Sequence, residues 1–589
     1  MADGTQGLPG RWSYGALGGG AGLAAWLLFE LLPGPMAGMT RLHLLLSSFG
    51  TAFFIAALAM AGALRLGRAL AAAALLALPM AGLMTWASLR FDTVAGALDD
   101  IVAPAAFAAL LVLAPPFLIA GFSPGGRWLD YGALFTRSWE IVVRFSAAWL
   151  FVGLAWGILF LSNALFGLVG LEVIEWLLEL EPVPYLLTGL TLGLALAVVG
   201  ERSEYLSPEL MLGLFRLLLP VVLAVVAVFL LALPLRGIGH LFGGLSAASI
   251  LLATAFGAVT LISSAADAGE ACRPRGALAE SCARLLALLL PVLAALAGTA
   301  VAMRLGQYGA TPERVLAAVL ALLAMGYGLG YALAALGRRR WATGVRRVNV
   351  AMALTAMVLA AGLLTPLLDP QRISAADQVA RYADGRVPAD KLDLWTLGHD
   401  WGRAGQAALE RLAAMEDGSG AEAMERQLAA LKGAASRADF ELARRGRALA
   451  DDRSSLALTL PVRPEGATLP EGFVAGLRPW EVRQISEACA ARTAGGNPSC
   501  VAVLADLSGA RPGDEILILA QRPGEGPLLR AYFPEAGGYT MRSPDYLGGA
   551  DPYRDAGAAI DALIAGRYDL RPMQLNALEV EGRTLFFGR

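Results

Sequence analysis

The sequence predicts a polytopic α-helical membrane bundle of about eleven transmembrane helices, followed by a soluble α+β C-terminal domain. Three observations carry that reading. Apolar runs alternate with short polar breaks from about Tyr14 to Leu368, and the alternation stops at Asp369-Pro370. About 20 mostly apolar residues are needed to cross a ~30 Å hydrocarbon layer. Backbone in lipid must satisfy its own hydrogen bonds, which restricts such runs to helices. Charge density changes at the same point: residues 1–368 hold 21 Arg/Lys and 18 Asp/Glu, whereas the remaining 221 hold 26 and 31. The second density is normal for a soluble domain. Finally, the basic residues are divided very unequally between alternate breaks.

The spans fall at approximately 14–32, 44–64, 69–86, 102–122, 146–169, 185–200, 217–235, 249–266, 285–302, 315–336 and 348–368. Those at 185–200 and 249–266 are short or rich in Gly, Ser and Thr. Two further stretches read as helices that do not span: WLDYGALFTRSWEIVVR before the fifth span, and LEVIEWLLELEP after it. The second puts Glu172, Glu175 and Glu179 on one face, as an interfacial collar would.

Basic residues near span ends stay cytoplasmic. With the N-terminus inside, the cytoplasmic breaks collect sixteen arginines, Arg11, Arg65, Arg68, Arg127, Arg137, Arg144, Arg202, Arg216, Arg273, Arg275, Arg284, Arg338, Arg339, Arg340, Arg346 and Arg347. The opposite breaks collect Arg41, Arg90, Arg236, Arg304 and Arg314. The loop GRRRWATGVRR, with Arg338, Arg339, Arg340, Arg346 and Arg347, is the densest topology anchor. An odd span count then puts the C-terminal part in the periplasm of a bacterial inner membrane. The expected divisions are a membrane region 1–368, a helical periplasmic segment 369–453 and a small α+β periplasmic domain 454–589.

Cysteine usage agrees. Cys272 and Cys282 fall in an expected cytoplasmic loop, and Cys489 and Cys500 fall in the periplasmic part, where a disulfide persists. A bridge closing so short a loop contributes about 2–3 kcal/mol; two separate buried thiols are the alternative. The leading stretch MADGTQGLPGRWSYG is polar and runs into the first span without the form of a cleavable signal. Lys391 and Lys432 are the only lysines, a bias of GC-rich bacterial genomes, and the net charge of −2 argues against nucleic acid as a partner.

Candidate chemistry is sparse. No charged residue lies near the middle of a span; Glu30, Arg216 and Arg304 sit at edges. An ion-coupled transporter would normally place one there. The polar side chains within spans (Ser47, Ser48, Thr51, Asn163, Thr254, Thr260 and Ser263) suit helix–helix hydrogen bonds. Gly326, Gly328 and Gly330, with Tyr327 and Tyr331, suit a close-packing face. Pro79, Pro115, Pro116, Pro220 and Pro291 could each break a helix. The loop RFDTVAGALDD offers Asp92, Asp99 and Asp100, acids that a lipid-linked transferase could use for a metal or as a base. His43, His240 and His399 are too scattered for a metal site, and Ser454 and Ser455 lack the strand-turn-helix setting of a nucleophile. No cofactor is expected.

The soluble part reads as helices and then strands. ISAADQVARYADG has Ser374 as N-cap and Gly385 as stop. GRAGQAALERLAAM and the stretch AEAMERQLAALKGAASRADFELARRGRALADD keep helical periodicity. SLALTLPV, CVAVLADL, EILILAQ and LLRAYF then alternate as strands, with helices PWEVRQISEACAAR and DAGAAIDALIAGRYDL between them, and LNALEVEGRTLFF closes as a hairpin at Glu581-Gly582.

The stretches LFRLLLPVVLAVVAVFLLALPLRGI, TPERVLAAVLALLAMGYGLGYALAAL, GRRRWATGVRRVNVAMAL, LLTPLLDPQRISAADQVARY and LDLWTLGHDWGRAGQAALERL stand out together. They resemble a bacterial inner-membrane family known as "domain of unknown function 4153". The resemblance covers the second half of the membrane region and its exit. It implies a polytopic inner-membrane protein and carries no catalytic residues with it. It also implies a loop similar to the calcium loops D-x-D-G-D-G after the last Cys. The matching run CVAVLADLSGARPGDEILIL has Asp506, Ser508, Gly509, Asp514 and Glu515, but a Ser replaces one carboxylate and the loop is longer. Calcium needs six to eight oxygens at fixed spacing, and a turn joining two strands explains the same residues.

The leading reading is a non-enzymatic envelope protein, a bundle in the lipid bilayer that displays a periplasmic interaction or sensing module for a protein, peptide or glycan. The alternatives are a transporter or flippase, and a periplasm-facing lipid-linked transferase using Asp99 and Asp100.

Overall fold

A computed structural model describes residues 10–201, 208–236, 246–266, 277–337, 340–415, 421–444, 446–507, 515–522, 526–535, 538–542, 545–547, 556–572, 576–580 and 583–586. The chain divides into two compact units, Met1–Met424 and Glu425–Arg589.

The first unit is helical. Its elements are α1 (Arg11–Trp26), α2 (Thr40–Met60), α3 (Leu66–Ser88), α4 (Val94–Asp99), α5 (Val102–Phe122), α6 (Tyr131–Leu168), α7 (Val173–Glu179) and α8 (Pro182–Glu201). Then come α9 (Pro208–Arg236), α10 (Ser246–Ala266), α11 (Ala277–Tyr308), α12 (Pro312–Leu336) and α13 (Trp341–Leu363), and, beyond the apolar runs, α14 (Pro370–Ala383), α15 (Leu394–His399) and α16 (Gly402–Ala413). Ten helices among the described residues are long and apolar enough to cross a membrane. These are α2, α3, α5, α6 and α8–α13. The expected first span, 14–32, is α1 continued by a π-helix, Leu27–Leu31. The helix expected before the fifth span is not separate: it is the N-terminal part of the 38-residue α6. The five prolines noted above lie inside continuous helices α3, α5, α9 and α11. Neighbouring packing compensates for the lost N–H there.

Two apolar interiors hold this unit. One joins α1, α2, α3, α5, α6 and α8 with the end of α13, and the other joins α9–α12 with the start of α13. Helices in lipid gain little from burying apolar surface, so close backbone approach matters more. Such an approach is made between α1 and α8. A methyl group built on Gly18 would stand 2.2 Å from the Gly189 carbonyl oxygen, and one on Gly193 would stand 2.2 Å from that of Tyr14. Gly22 meets the Tyr185 carbonyl in the same way. Gly18/Gly22 and Gly189/Gly193 are thus two facing small-xxx-small pairs. On α12 the glycines serve two faces, not one. Gly326 and Gly330 lie against Met352 and Val348 of α13, while Gly328 lies against the backbone of α11 at Pro291.

Side-chain bonds sort the helix ends into two groups. At one end Arg11 pairs with Glu201 at 2.5 Å, and Arg144 donates to the Tyr14 hydroxyl at 2.8 Å. There too Arg216 donates to the Ser264 carbonyl, Trp341 to Glu280, and Arg346 to the Ala266 carbonyl. At the other end Tyr185 donates to Glu30 at 2.7 Å, Arg41 to the Phe91 carbonyl and Arg90 to the Leu363 carbonyl. These arginines group as the alternation of apolar runs groups them.

The second unit begins with helices: α17 (Ala421–Gly433) leads across the division to α18 (Arg437–Arg444) and α19 (Gly446–Thr459). A sheet of five strands follows in the order β1 (Val462–Arg463), β2 (Cys500–Ala505), β3 (Glu515–Gln521), β4 (Pro527–Glu535) and β5 (Gly538–Arg542). β1 pairs parallel to β2 and the rest are antiparallel. On one face lie α19, α20 (Phe473–Gly476) and α21 (Pro479–Ala490); on the other lies α22 (Ala556–Ile564). Both faces of β2 and β3 are therefore covered, which is why CVAVLA and EILILA are nearly continuous apolar runs. A second sheet has the order β6 (Asp545–Leu547), β9 (Arg583–Phe586), β8 (Asn576–Val580), β7 (Tyr568–Pro572). The β8–β9 hairpin is as expected, and its turn residues Glu581 and Gly582 lie outside the described residues.

Three local expectations are corrected. The helix expected over DAGAAIDALIAGRYDL ends at Ile564, and its last residues form strand β7 from Tyr568. SLALTL is the end of α19 rather than a strand, because Leu456 and Leu460, four residues apart, enter the core together. α14 starts at Pro370 with Asp369 as its N-cap, accepting from the Arg372 N–H at 3.1 Å, so Ser374 lies inside the helix and is buried. Asp followed by Pro at the first helical position is the stronger start signal.

The α1–α8 contact gives a direct test. Gly189→Val forces side-chain carbons into the facing backbone and should cost on the order of 1–3 kcal/mol or more. It should lower the midpoint of thermal aggregation measured by fluorescence-detected gel filtration. Gly82→Ala, on α3 with nothing within 4 Å of the added methyl, should leave that midpoint unchanged or slightly raised.

Candidate functional site

The acidic loop between α3 and α5 is the first candidate. Its centre is a basic residue, Arg90. The Arg90 guanidinium donates through Nη2 to the carbonyls of Leu363 at 2.7 Å and Thr365 at 2.8 Å. These belong to the C-terminal turn of α13, where helix carbonyls have no partners of their own. Its Nε lies 3.4 Å from the Asp369 carboxylate, with side-chain exposures of 9% and 13%, and Nη1 reaches Gln371. Burial lowers the Arg90 pKa from its ordinary value, opposed by Asp369 and Asp100.

Asp100 faces the same cluster. It accepts from the Ala103 N–H at 3.2 Å at the start of α5, and burial raises its pKa from the ordinary carboxylate value, against hydrogen bonds from Val102, Ala103 and Gln371. Asp92 points outward to Arg403 at 3.5 Å, and Asp99 ends α4 exposed. The three acids are therefore not gathered around a shared point. Among the described residues no group of three His, Cys, Asp or Glu side chains is placed to hold a metal.

What this cluster does is dock α14–α16. The far end of α14 is fixed as firmly. Arg381, 5% exposed, donates to the carbonyls of Leu305, Gly306 and Gln307 at the C-terminal end of α11. Asp377 accepts from the Ala310 N–H at 2.7 Å, and Gln378 donates to the Tyr308 and Ala310 carbonyls. The Arg403 N–H donates to the Arg90 carbonyl at 2.8 Å, next to Gly402 at φ 53°. A Cβ at Gly402 would stand 2.4 Å from that carbonyl oxygen.

A second cluster lies within the membrane unit. Tyr331 of α12, fully buried, donates to Asn349 of α13 and shares a hydrogen bond of 2.8 Å with Ser263 of α10. Asn349 in turn donates to Ser263 at 3.1 Å and to the Tyr131 hydroxyl, at the start of α6, at 3.0 Å. Four helices are tied by this set of polar bonds. Of the topology-anchor arginines, Arg340 stands at the N-cap position of α13 without a side-chain cap bond, Arg346 lies over Tyr131 with its guanidinium carbon 5.9 Å from the ring centre, and Arg347 is exposed. Arg338 and Arg339 lie outside the described residues.

In the C-terminal unit Cys489 and Cys500 are joined as a disulfide. The loop between them is fastened to α22 by Asp561, which accepts from Thr493 at 2.6 Å, Asn497 at 2.7 Å and the Gly495 N–H at 3.2 Å. The hydrogen bonds from Thr493 and Asn497 hold the Asp561 pKa below its ordinary value. Cys282 is buried in α11 rather than in a loop, and Cys272 lies outside the described residues. In the expected calcium-like run, buried Glu515 accepts from the Leu507 N–H at 2.7 Å, as a residue closing the β2–β3 turn does. Ser508, Gly509 and Asp514 lie outside the described residues. On the other sheet face, buried Glu481 caps α21 through the Arg478 N–H and accepts from Tyr532 at 2.9 Å. Arg530 stacks 4.3 Å over Trp480 beside it. Burial, then Glu481, raises the Tyr532 pKa. His43 bonds the Leu28 carbonyl, His399 stacks on Trp395, and His240 lies outside the described residues.

Comparison with protein-family models, with curated proteins and with solved structures found no match.

Two measurements test these assignments. Arg90→Gln leaves Asp369 partly buried without its cation, a change that costs about 3–5 kcal/mol in buried pairs. The α14–α16 segment should become cleavable by trypsin at Arg386 at least tenfold faster than in the parent protein. In the second unit the Asp561 pKa is lowered, so its stabilisation is present above the unfolded value near pH 4 and disappears as pH falls through the folded value. Amide protection of Gly495, corrected for intrinsic exchange, should fall between pH 6 and pH 3, and Asp561→Ala should remove that dependence.

Proposed function

We propose that this integral membrane protein is a non-enzymatic component of a bacterial inner membrane, with its N-terminus cytoplasmic, that holds the Glu425–Arg589 unit in the periplasm to recognise a protein, peptide or glycan. The observation that carries the reading is the Cys489–Cys500 disulfide in that unit, because such bonds persist in oxidising compartments and are rare in the cytosol. The distribution of arginine between the helix ends supports the same orientation. Arg11, Arg144, Arg216, Arg284 and Arg346 gather at one end, and α14–α16 dock at the other. Recognition rather than catalysis is supported by the use each polar cluster makes of its groups: Arg90, Asp100, Glu481 and Asp561 all bond to backbone or to structural partners.

Alkaline phosphatase fused after Arg589 should be active, and a green fluorescent protein fused there should stay dark. Thiol labelling after denaturation without reductant should modify Cys272 and Cys282 and spare Cys489 and Cys500. A bright fluorescent fusion together with labelling of all four thiols would overturn the orientation.

A further inference from the structure

We infer that the groove between α13 and the segment entering α6 binds one anionic phospholipid, its phosphate on Arg346 and Arg347 and an acyl chain along α13. The groove has a volume of about 480 Å³ and is lined by Tyr131, Thr343, Arg346, Arg347, Val350 and Leu354, with Leu129 and Ala351 at its margins.

Three features select that occupant. First, the α13 residues recur every three or four positions from Thr343 to Leu354, so they form one stripe on the helix. The stripe is divided by chemistry. Two guanidinium groups sit toward its N-terminal end and Val350, Ala351 and Leu354 follow, with no carboxylate among the described lining residues. Arginine forks match phosphate oxygens in pairs. Second, the stripe runs about 16 Å along the helix at about 1.5 Å per residue. That is roughly half of the ~30 Å hydrocarbon thickness, the depth of a single leaflet. A free phosphate would use only the first third of it. Third, the walls are fixed before anything binds. The Arg346 guanidinium lies over Tyr131 and donates to the Ala266 carbonyl at 3.3 Å, while the Tyr131 hydroxyl is tied to Asn349 at 3.0 Å. A preformed wall lowers the ordering cost of binding. Leu129 and Leu354 are exposed at the rim, which suits a site whose open side is lipid.

The test is native mass spectrometry of the full-length chain in a neutral detergent, titrated with dioleoylphosphatidylglycerol, with dioleoylphosphatidylcholine and inorganic phosphate run in parallel. One phosphatidylglycerol should bind at least tenfold more tightly than phosphatidylcholine, and millimolar phosphate should not displace it. Arg347→Gln, at an exposed position, should weaken that first binding event about fivefold, the contribution of one basic residue at an anionic surface. Adding Arg346→Gln should weaken it further. Ala351→Trp, which fills the acyl part and leaves both guanidinium groups, should weaken it at least tenfold. Equal affinity for the two lipids, an unchanged first event in both Arg347→Gln and Ala351→Trp, or displacement by phosphate alone would overturn the proposal.

Discussion

The membrane unit depends on how near two helical backbones can come when apolar burial gives them no reason to meet. Lipid chains solvate leucine as well as another helix does, so association has to come from dispersion between closely packed surfaces and from hydrogen bonds. At α1–α8 the limit is reached: glycine faces glycine, and carbonyl oxygens occupy the space that side chains would need. Because α8 also packs against α6, and α1 against α2, this contact seats the four helices around Arg144. That cation reaches the Tyr14 hydroxyl and the Leu196 carbonyl. A bulky side chain anywhere along the seam would separate the helices that supply its ligands.

Arginine does the complementary work at the helix ends. A guanidinium carries five N–H donors in a fixed plane, which suits it to the unpaired carbonyls of a C-terminal turn. Arg90 does this for α13 and Arg381 for α11. Both link elements distant in sequence, and both belong to the polar shell through which α14–α16 join the first unit rather than the second. The division between units falls within α17, beyond these bonds, whereas the change in composition at Asp369 marks where the apolar spans end.

Much of the architecture was legible because the bilayer imposes a length and a polarity on each helix. The apolar runs fall on the observed helices, the two-faced burial of β2 and β3 was written as unbroken Val, Leu and Ile, and the two cysteines were close enough in sequence to suggest their bond. Other features depended on partners that a single chain position does not reveal. Gly18/Gly22 and Gly189/Gly193 carry visible small-xxx-small spacing, but the spacing alone does not say which pair faces which. Arg90 reads as one of five isolated arginines; only the approach of α13 and α14 makes it a buried clamp. Asn349 stands at the start of the expected eleventh span with no spacing signal to mark it, although Tyr131, Ser263 and Tyr331 converge on it. SLALTL alternates well enough for a strand, and its helical state comes from tertiary packing of Leu456 and Leu460.

The length of α6 has a consequence for the shape of the protein at the membrane surface. At about 1.5 Å per residue its 38 residues make a rod of roughly 57 Å, against about 40–45 Å for a whole bilayer including headgroups. An upright α6 would therefore protrude into water, and tilting alone would need an angle near 40°, the upper limit for such helices. Its first turns carry Tyr131, Phe135, Trp139, Arg137 and Glu140, with Trp139 against Phe215 of α9. That mixture of rings and charges suits the headgroup layer. The helix is therefore long enough to reach from the hydrocarbon into the headgroup layer, where Trp139 meets Phe215 of α9.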